Sequence, residues 1–192
     1  MDLKVINSKP TQQRTTFIVK VTSGERTPKI WNVKLLPGGR LLLADNTSVK
    51  LFTTQGQHLH TLECRSEPHR LAVLDSSSIR HTSVAVTLPF RPGIDILEVG
   101  VYNMKLKRNV QTSRRYLAVA ALNNQTLAVG YVFDSGIDLI DLGGQVLREI
   151  DSSVVPHYMD ITEDGDLMCS TKDNTIARVE LDCGTIVFNK SG

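Results

Sequence analysis

The feature that most constrains this chain is a repeat. Short apolar stretches recur at a steady interval: LLLAD from 41, VAVTL from 84, LAVGY from 127 and LMCST from 167, with starts 43, 43 and 40 residues apart. A second series follows in step, VKLF from 49, IDIL from 94, IDLI from 137 and IARV from 176. Polar turns divide them: PGGR at 37, DSSS at 75, NNQT at 123 and EDGD at 163, with Gly56, Gly143, Gly144 and Gly184 ahead of the last stretch in three of the units. Glycine, Asp and Asn suit tight turns because they tolerate positive φ or hydrogen-bond their own backbone. No segment keeps an i, i+3, i+4, i+7 apolar pattern over three turns, so helices are not expected. Short strands at this period predict an all-β chain of about four four-stranded antiparallel blades set radially, a β-propeller segment.

The blades are expected at 29–64, 68–111, 114–151 and 155–189, after an N-terminal arm over 1–28 with one strand at 16–22 (TFIVKVT). A single such sheet leaves both faces wet, and stacked neighbours cover them. That explains why the second strands are apolar throughout. Four units suit an arc better than a closed ring, so an incomplete, open ring is expected. Its first and last sheets would each present an uncovered apolar face and favour self-association. The segment at 79–83 (IRHTS) is expected to form a longer hairpin or a bulge.

Composition narrows the function classes. Hydrophobic residues make up 41 % and net charge is +2, which fits a globular chain and is too mild to imply nucleic acid by itself. Cys64, Cys169 and Cys183 include no Cys-x-x-Cys pair, which excludes a zinc finger or RING built from this chain. A reducing, cytoplasmic setting is expected. The first fourteen residues lack an apolar core and no run nears the roughly 18 residues that cross a bilayer, so neither a secretory signal nor a membrane partner is expected.

The phrase PGGRLLLADNTSVKLFTTQGQ resembles an NHL-type blade, as does GQVLREI after IDLID. WD-type blades carry Gly-His and Trp-Asp dipeptides, whereas the single tryptophan here is Trp31, followed by Asn32. From about 29 to 189 the chain is similar to the propeller end of tripartite-motif NHL proteins. The resemblance implies a substrate-choosing, protein-binding propeller of a ubiquitin ligase, or an RNA-binding surface in some relatives. It does not carry ligase activity to this chain, whose own residues supply no RING.

In a propeller the loops leading into each blade share one face with the turns between second and third strands. Aligning the units puts Trp31, His69, Tyr116 and His157 at one position, with Arg70, Arg115 and Tyr158 beside them. Arg91, Asp134 and Lys172 fall in the second-to-third-strand turns. Flat rings beside arginine suit protein hot spots and single-strand bases, and they equally suit plain packing between blades. Lys105, Lys107, Arg108, Arg114 and Arg115 form a basic run that could follow phosphates or simply solvate an outer strand.

Asp45, Asp134 and Asp173 recur after the second strands, where a ring of acids could hold calcium in a propeller hydrolase or lyase. They also sit where turns favour Asp, and no metal site is expected. His58 and His60 are expected on the surface. No catalytic motif is present and no cofactor is expected. The expected function is therefore non-enzymatic protein binding, with RNA binding or a metal-dependent propeller enzyme as the alternatives.

Overall fold

The computed structural model describes residues 29–75, 78–171 and 175–182, and the backbone of 186–189. The strand expected at 16–22, the Lys172–Asp173 pair, Cys183 and Gly184 lie outside the described residues. The fold is all-β. Blade 1 comprises β1 (Asn32–Leu36), β2 (Arg40–Ala44), β3 (Ser48–Thr53) and β4 (His58–Glu63). Blade 2 comprises β5 (Leu71–Asp75), β6 (Thr82–Thr87), β7 (Ile94–Val99) and β8 (Met104–Val110). Blade 3 comprises β9 (Tyr116–Ala121), β10 (Thr126–Tyr131), β11 (Ile137–Asp141) and β12 (Val146–Ile150). Blade 4 comprises β13 (Pro156–Ile161), β14 (Leu167–Thr171), β15 (Ile176–Val179) and β16 (Ile186–Asn189). Each blade is a four-stranded antiparallel meander in chain order, innermost strand first.

Alternation along each strand sends one set of side chains to each neighbouring blade. Leu42, Ala44, Val49 and Leu51 of blade 1 meet Val84, Val86, Leu97 and Met104 of blade 2. Ala72, Ala85, Ile94 and Ile96 of blade 2 meet Val119, Leu127, Val129 and Ile140 of blade 3. Ala118, Ala128 and Ile137 of blade 3 meet Met159, Cys169 and Ala177 of blade 4. The middle strands of blades 2 and 3 serve two clusters at once, which is why they are apolar on both faces.

Among the described residues no apolar cluster joins blade 4 to blade 1; the contacts between them are polar. Lys34 Nζ meets Asp160 Oδ2 at 2.7 Å and lies 5.4 Å from the Tyr158 ring centre. Burial alone would lower the Lys34 pKa; Asp160 and Tyr158 outweigh it and hold the ammonium above its ordinary value. The far face of blade 4 leaves Met168 and Ile176 exposed, as an open end requires. Blade 1 differs from expectation. On the face turned away from blade 2, Leu35 is 64 % exposed, as an end would be, but Leu43 and Phe52 in the middle of that face are only 3 % and 4 % exposed.

A bulge does occur where one was expected, in the pairing of β5 with β6 between Val73 and Asp75. The connection is also the longest of the four between first and second strands, as expected, with β5 ending at Asp75 and β6 starting at Thr82. Arg40, read in the sequence only as the last residue of a turn, is buried. It donates to the carbonyls of Pro37, Ile79 (2.8 Å) and Gly100 and so ties the lower loops of blades 1 and 2 together. Four polar contacts to carbonyls offset the cost of burying this charge. His60 corrects another expectation: it is half-buried, with Nδ1 lacking a partner, while His58 is exposed and bonds Thr61 Oγ1 at 2.8 Å.

Gly144, in the turn between β11 and β12, has φ +93 and lies against the backbone where blade 2 hands over to blade 3. A Cβ there would sit 2.0 Å from the Gln111 carbonyl oxygen. Gly165 has a similar φ of +89 but open space around it. Gly165→Ala is expected to cost about 1–2 kcal/mol from the left-handed backbone alone. Gly144→Ala is expected to cost clearly more, because the carbonyl must also move. Urea unfolding of the two variants measures the difference, and equal losses would contradict this packing.

Candidate functional site

The loops leading into the blades and the turns between second and third strands form the upper face. Two clusters stand there. The first spans blades 1 and 2. The Trp31 and His69 rings stack at 4.2 Å and 14°, and Phe90 meets His69 edge-on at 5.8 Å. Trp31 Nε1 donates to Glu67 Oε1 at 2.7 Å, and Lys29 Nζ lies 6.0 Å from the indole centre. His69 is buried and its Nε2 has no hydrogen-bond partner; Glu67 Oε1 is 3.8 Å away. Burial, then the charges of Arg70 and His157, push this imidazole down to about 4, so it is neutral at pH 7.

Arg70 reaches under this cluster toward the centre. Its Nε donates to the His157 carbonyl at 2.8 Å and its Nη1 to the Trp31 carbonyl. One guanidinium from blade 2 therefore links the loops of blades 1 and 4. Burial lowers its pKa from the usual arginine value.

The second cluster belongs to blade 3 and centres on Asp138, which is fully buried. Tyr116 and Tyr131 each donate a hydroxyl to it at 2.6 Å, on Oδ2 and Oδ1 respectively. Arg114 Nη1 lies 3.3 Å from both oxygens and also bonds the Tyr131 hydroxyl. Its Nη2 meets Glu149 at 3.2 Å. Burial first, then the hydrogen bond to Asp138, raises the pKa of both tyrosines, so neither ionises in the physiological range.

This network supports an unusual turn. Phe133 is 80 % exposed and has φ +67, a left-handed conformation that costs a non-glycine residue about 1 kcal/mol. Asp134 Oδ1 accepts from the Ser135 amide at 2.8 Å, and Gly136 closes the turn at φ +121 against the Tyr131 ring. A Cβ on Gly136 would lie 2.5 Å from that ring. Phe90, in the matching turn of blade 2, is 59 % exposed. Two blades thus hold a phenylalanine up on the same face.

The candidate residues divide accordingly. Trp31, His69, Arg70, His157 and Tyr158 come together around the centre. Arg114 and Tyr116 join the Asp138 network. Tyr116 is buried, which removes its ring from the surface; with His69 it supports the face and cannot contact a partner. Arg115 is exposed at the start of blade 3, its carbonyl accepting from Val132. Arg91 sits beside Phe90 in its turn, its amide donating to the Leu88 carbonyl. Lys172 lies outside the described residues.

The basic run splits as well: Lys105, Lys107 and Arg108 line the outer strand β8, while Arg114 joins the Asp138 network. The acids considered for calcium do not converge. Asp45 uses one oxygen on Thr47 and Ser48 and the other on Lys50, and Asp134 closes its own turn. Among the described residues no three metal-ligating side chains gather.

Phe90, Phe133 and Asp138 were not singled out from the sequence. The signal for the last was present: IDIL and IDLI place an acid at the second position of two apolar third strands, and Asp95 and Asp138 are both buried there. Asp95 accepts from Asn109 at 2.6 Å.

No protein-family model matches the chain, and no curated protein sequence matches it. Solved structures do. One is a protein of unknown function from Bacteroides caccae, at 16 % identity and a TM-score of 0.65, covering 85 % of this chain and 61 % of that one. Another is a catalytically inactive virginiamycin B lyase from Staphylococcus aureus bound to quinupristin, at 13 % identity and a TM-score of 0.64, covering 88 % and 57 %. A third is the WD40 β-propeller domain of Doa1, at 14 % identity and a TM-score of 0.60, covering 81 % and 52 %. The chain is a β-propeller of four blades. It spans between about half and three-fifths of the length of these structures. At such identities the likeness establishes the fold alone.

Two outcomes test the site. Asp138→Ala strands two tyrosine hydroxyls and an arginine, and is expected to cost about 3 kcal/mol or more; urea unfolding measures it, and a loss under about 1 kcal/mol would mean the network is not closed. His69 has a folded pKa below its unfolded value, so between about 6.5 and 4 the unfolded chain takes up a proton that the folded chain refuses. Stability should therefore fall as pH falls through that window, and His69→Phe should flatten the fall in thermal melts.

Proposed function

We propose that this chain is a non-catalytic protein-interaction module that docks partners on its upper face. The observation that carries the reading is Phe133. A large apolar side chain held in water on a strained turn has no folding rationale, and the Asp138 network below it fixes its direction. Preorganised, exposed aromatics flanked by arginine are the composition of protein hot spots. Phe90, Arg91 and Arg115 extend the same surface.

The tripartite-motif resemblance gives this reading its finer form, substrate choice for a ubiquitin ligase, with the ligase activity supplied elsewhere. An RNA-binding face is supported less well, because Trp31 and His69 spend their ring faces on each other and leave no platform for a base. A metal-dependent hydrolase or lyase finds no support in Asp45 or Asp134, whose oxygens are engaged in their turns. Burial pushes the Cys64 and Cys169 thiols up to about 12, which argues against either as a nucleophile at neutral pH.

Phe133→Gly separates folding from docking. Glycine relieves the left-handed backbone, so the melting temperature should hold or rise, while partners recovered by affinity capture with the wild-type chain should be lost. Phe90→Ser should lose the same partners. Capture unchanged by both variants would overturn the proposed face. Binding of single-stranded RNA that survives both and falls steeply with salt would favour the nucleic-acid reading instead.

A further inference from the structure

On the opposite, lower face a groove of about 410 Å³ runs between blades 2 and 3. Its floor is aliphatic, with Leu74 and Ile96 from blade 2 and Leu142 from blade 3. Its rim is polar: Lys107 and Arg108 from β8 on one side, the side-chain amides of Asn124 and Gln125 on the other. The amide side is held in place, since Asn123 Oδ1 accepts from the backbone of both Gln125 (2.8 Å) and Thr126 (2.9 Å). Asp75 also lines the groove, so its charged rim is two cations against one anion. Among the described residues neither Lys107 nor Arg108 forms an ion pair within 4 Å, whereas Lys105 on the same strand meets Glu98 at 3.0 Å.

The strand that carries the two cations is itself an edge. β8 is the outermost strand of blade 2 and, at seven residues, the longest among the described residues. Among the described residues no strand lies beyond it, so it presents a row of backbone groups at the edge. Lysine on an edge repels a second copy of the same basic strand and so prevents pairing between copies. The same charges attract a strand of opposite sign. A pocket of this size accepts one or two side chains, and amide plus guanidinium donors suit a carboxylate.

We propose that this groove and the β8 edge bind an extended acidic peptide, its carboxylates meeting Lys107 and Arg108 and an alternate apolar side chain resting on Leu74, Ile96 and Leu142. Strand addition of this kind takes affinity from the backbone and selectivity from the side-chain pockets. The site is separate from the upper face and independent of the reading given for it.

A fluorescein-labelled octapeptide of alternating Val and Glu is the probe, with alternating Val and Lys as its counterpart and an eight-residue oligothymidine as a general polyanion. Fluorescence anisotropy should show binding of the Val-Glu peptide alone. The double variant Lys107→Glu/Arg108→Glu should weaken it at least tenfold with an unchanged melting temperature. The charge-matched pair Arg91→Glu/Arg115→Glu should leave it within twofold. In NMR spectra the side-chain amides of Asn124 and Gln125 should shift on titration. Equal losses in both double variants would reduce the effect to net charge and overturn the proposal. So would silent amides, no binding of the Val-Glu peptide, or equally tight binding of the oligothymidine.

Discussion

The structure depends on one constraint: a sheet that is apolar on both faces must be covered on both. In this chain the cover for each blade is the next blade. The central strands show it most clearly. In β10, Leu127 and Val129 pack toward blade 2 while Ala128 between them packs toward blade 4. Removing either neighbour would expose half of that strand to water, so no blade is independent of the next. Everything on the two faces of the molecule, loops and turns alike, is positioned by this sideways stacking. Function is therefore carried by segments that the stacking leaves free.

Where apolar packing stops, polar groups take over. Arg40 below, Arg70 above and Lys34 at the centre each bridge blades through carbonyls or a carboxylate. These are long side chains on or beside innermost and second strands, where blades converge and there is little room for a further apolar layer. Asp138 plays the corresponding part within blade 3. A buried carboxylate satisfied by two hydroxyls and a guanidinium rigidifies what lies above it. The turn that displays Phe133 is the beneficiary, and that rigidity makes an exposed ring a docking anchor with little entropy left to lose.

The fold was legible because periodicity is a property of the chain. The strands expected at 167–171 and 176–179 match β14 and β15 at both ends. The other apolar stretches agree with their strands to within two residues, β6 beginning two residues ahead of the stretch read from 84. The site was legible only in part. Trp31, His69 and Tyr116 stood out as flat rings at one register, and they do gather on one face. Yet His69 and Tyr116 are buried, His69 against Trp31 and Phe90 and Tyr116 beside Tyr131 and Asp138. Nothing in the sequence set Phe90 and Phe133 apart, and only their exposure distinguishes them.

The sequence by itself determined the blade count, the strand order and the turn positions, since alternating apolar residues and Gly or Asp punctuation act locally. Tertiary structure alone decided which rings face water, that Asp138 draws three donors to one point, that Leu43 and Phe52 are covered, and that blades 2 and 3 part into a groove. Each of those is a relation between residues distant in the chain, and a one-dimensional pattern carries no record of how far around the axis each sheet is turned.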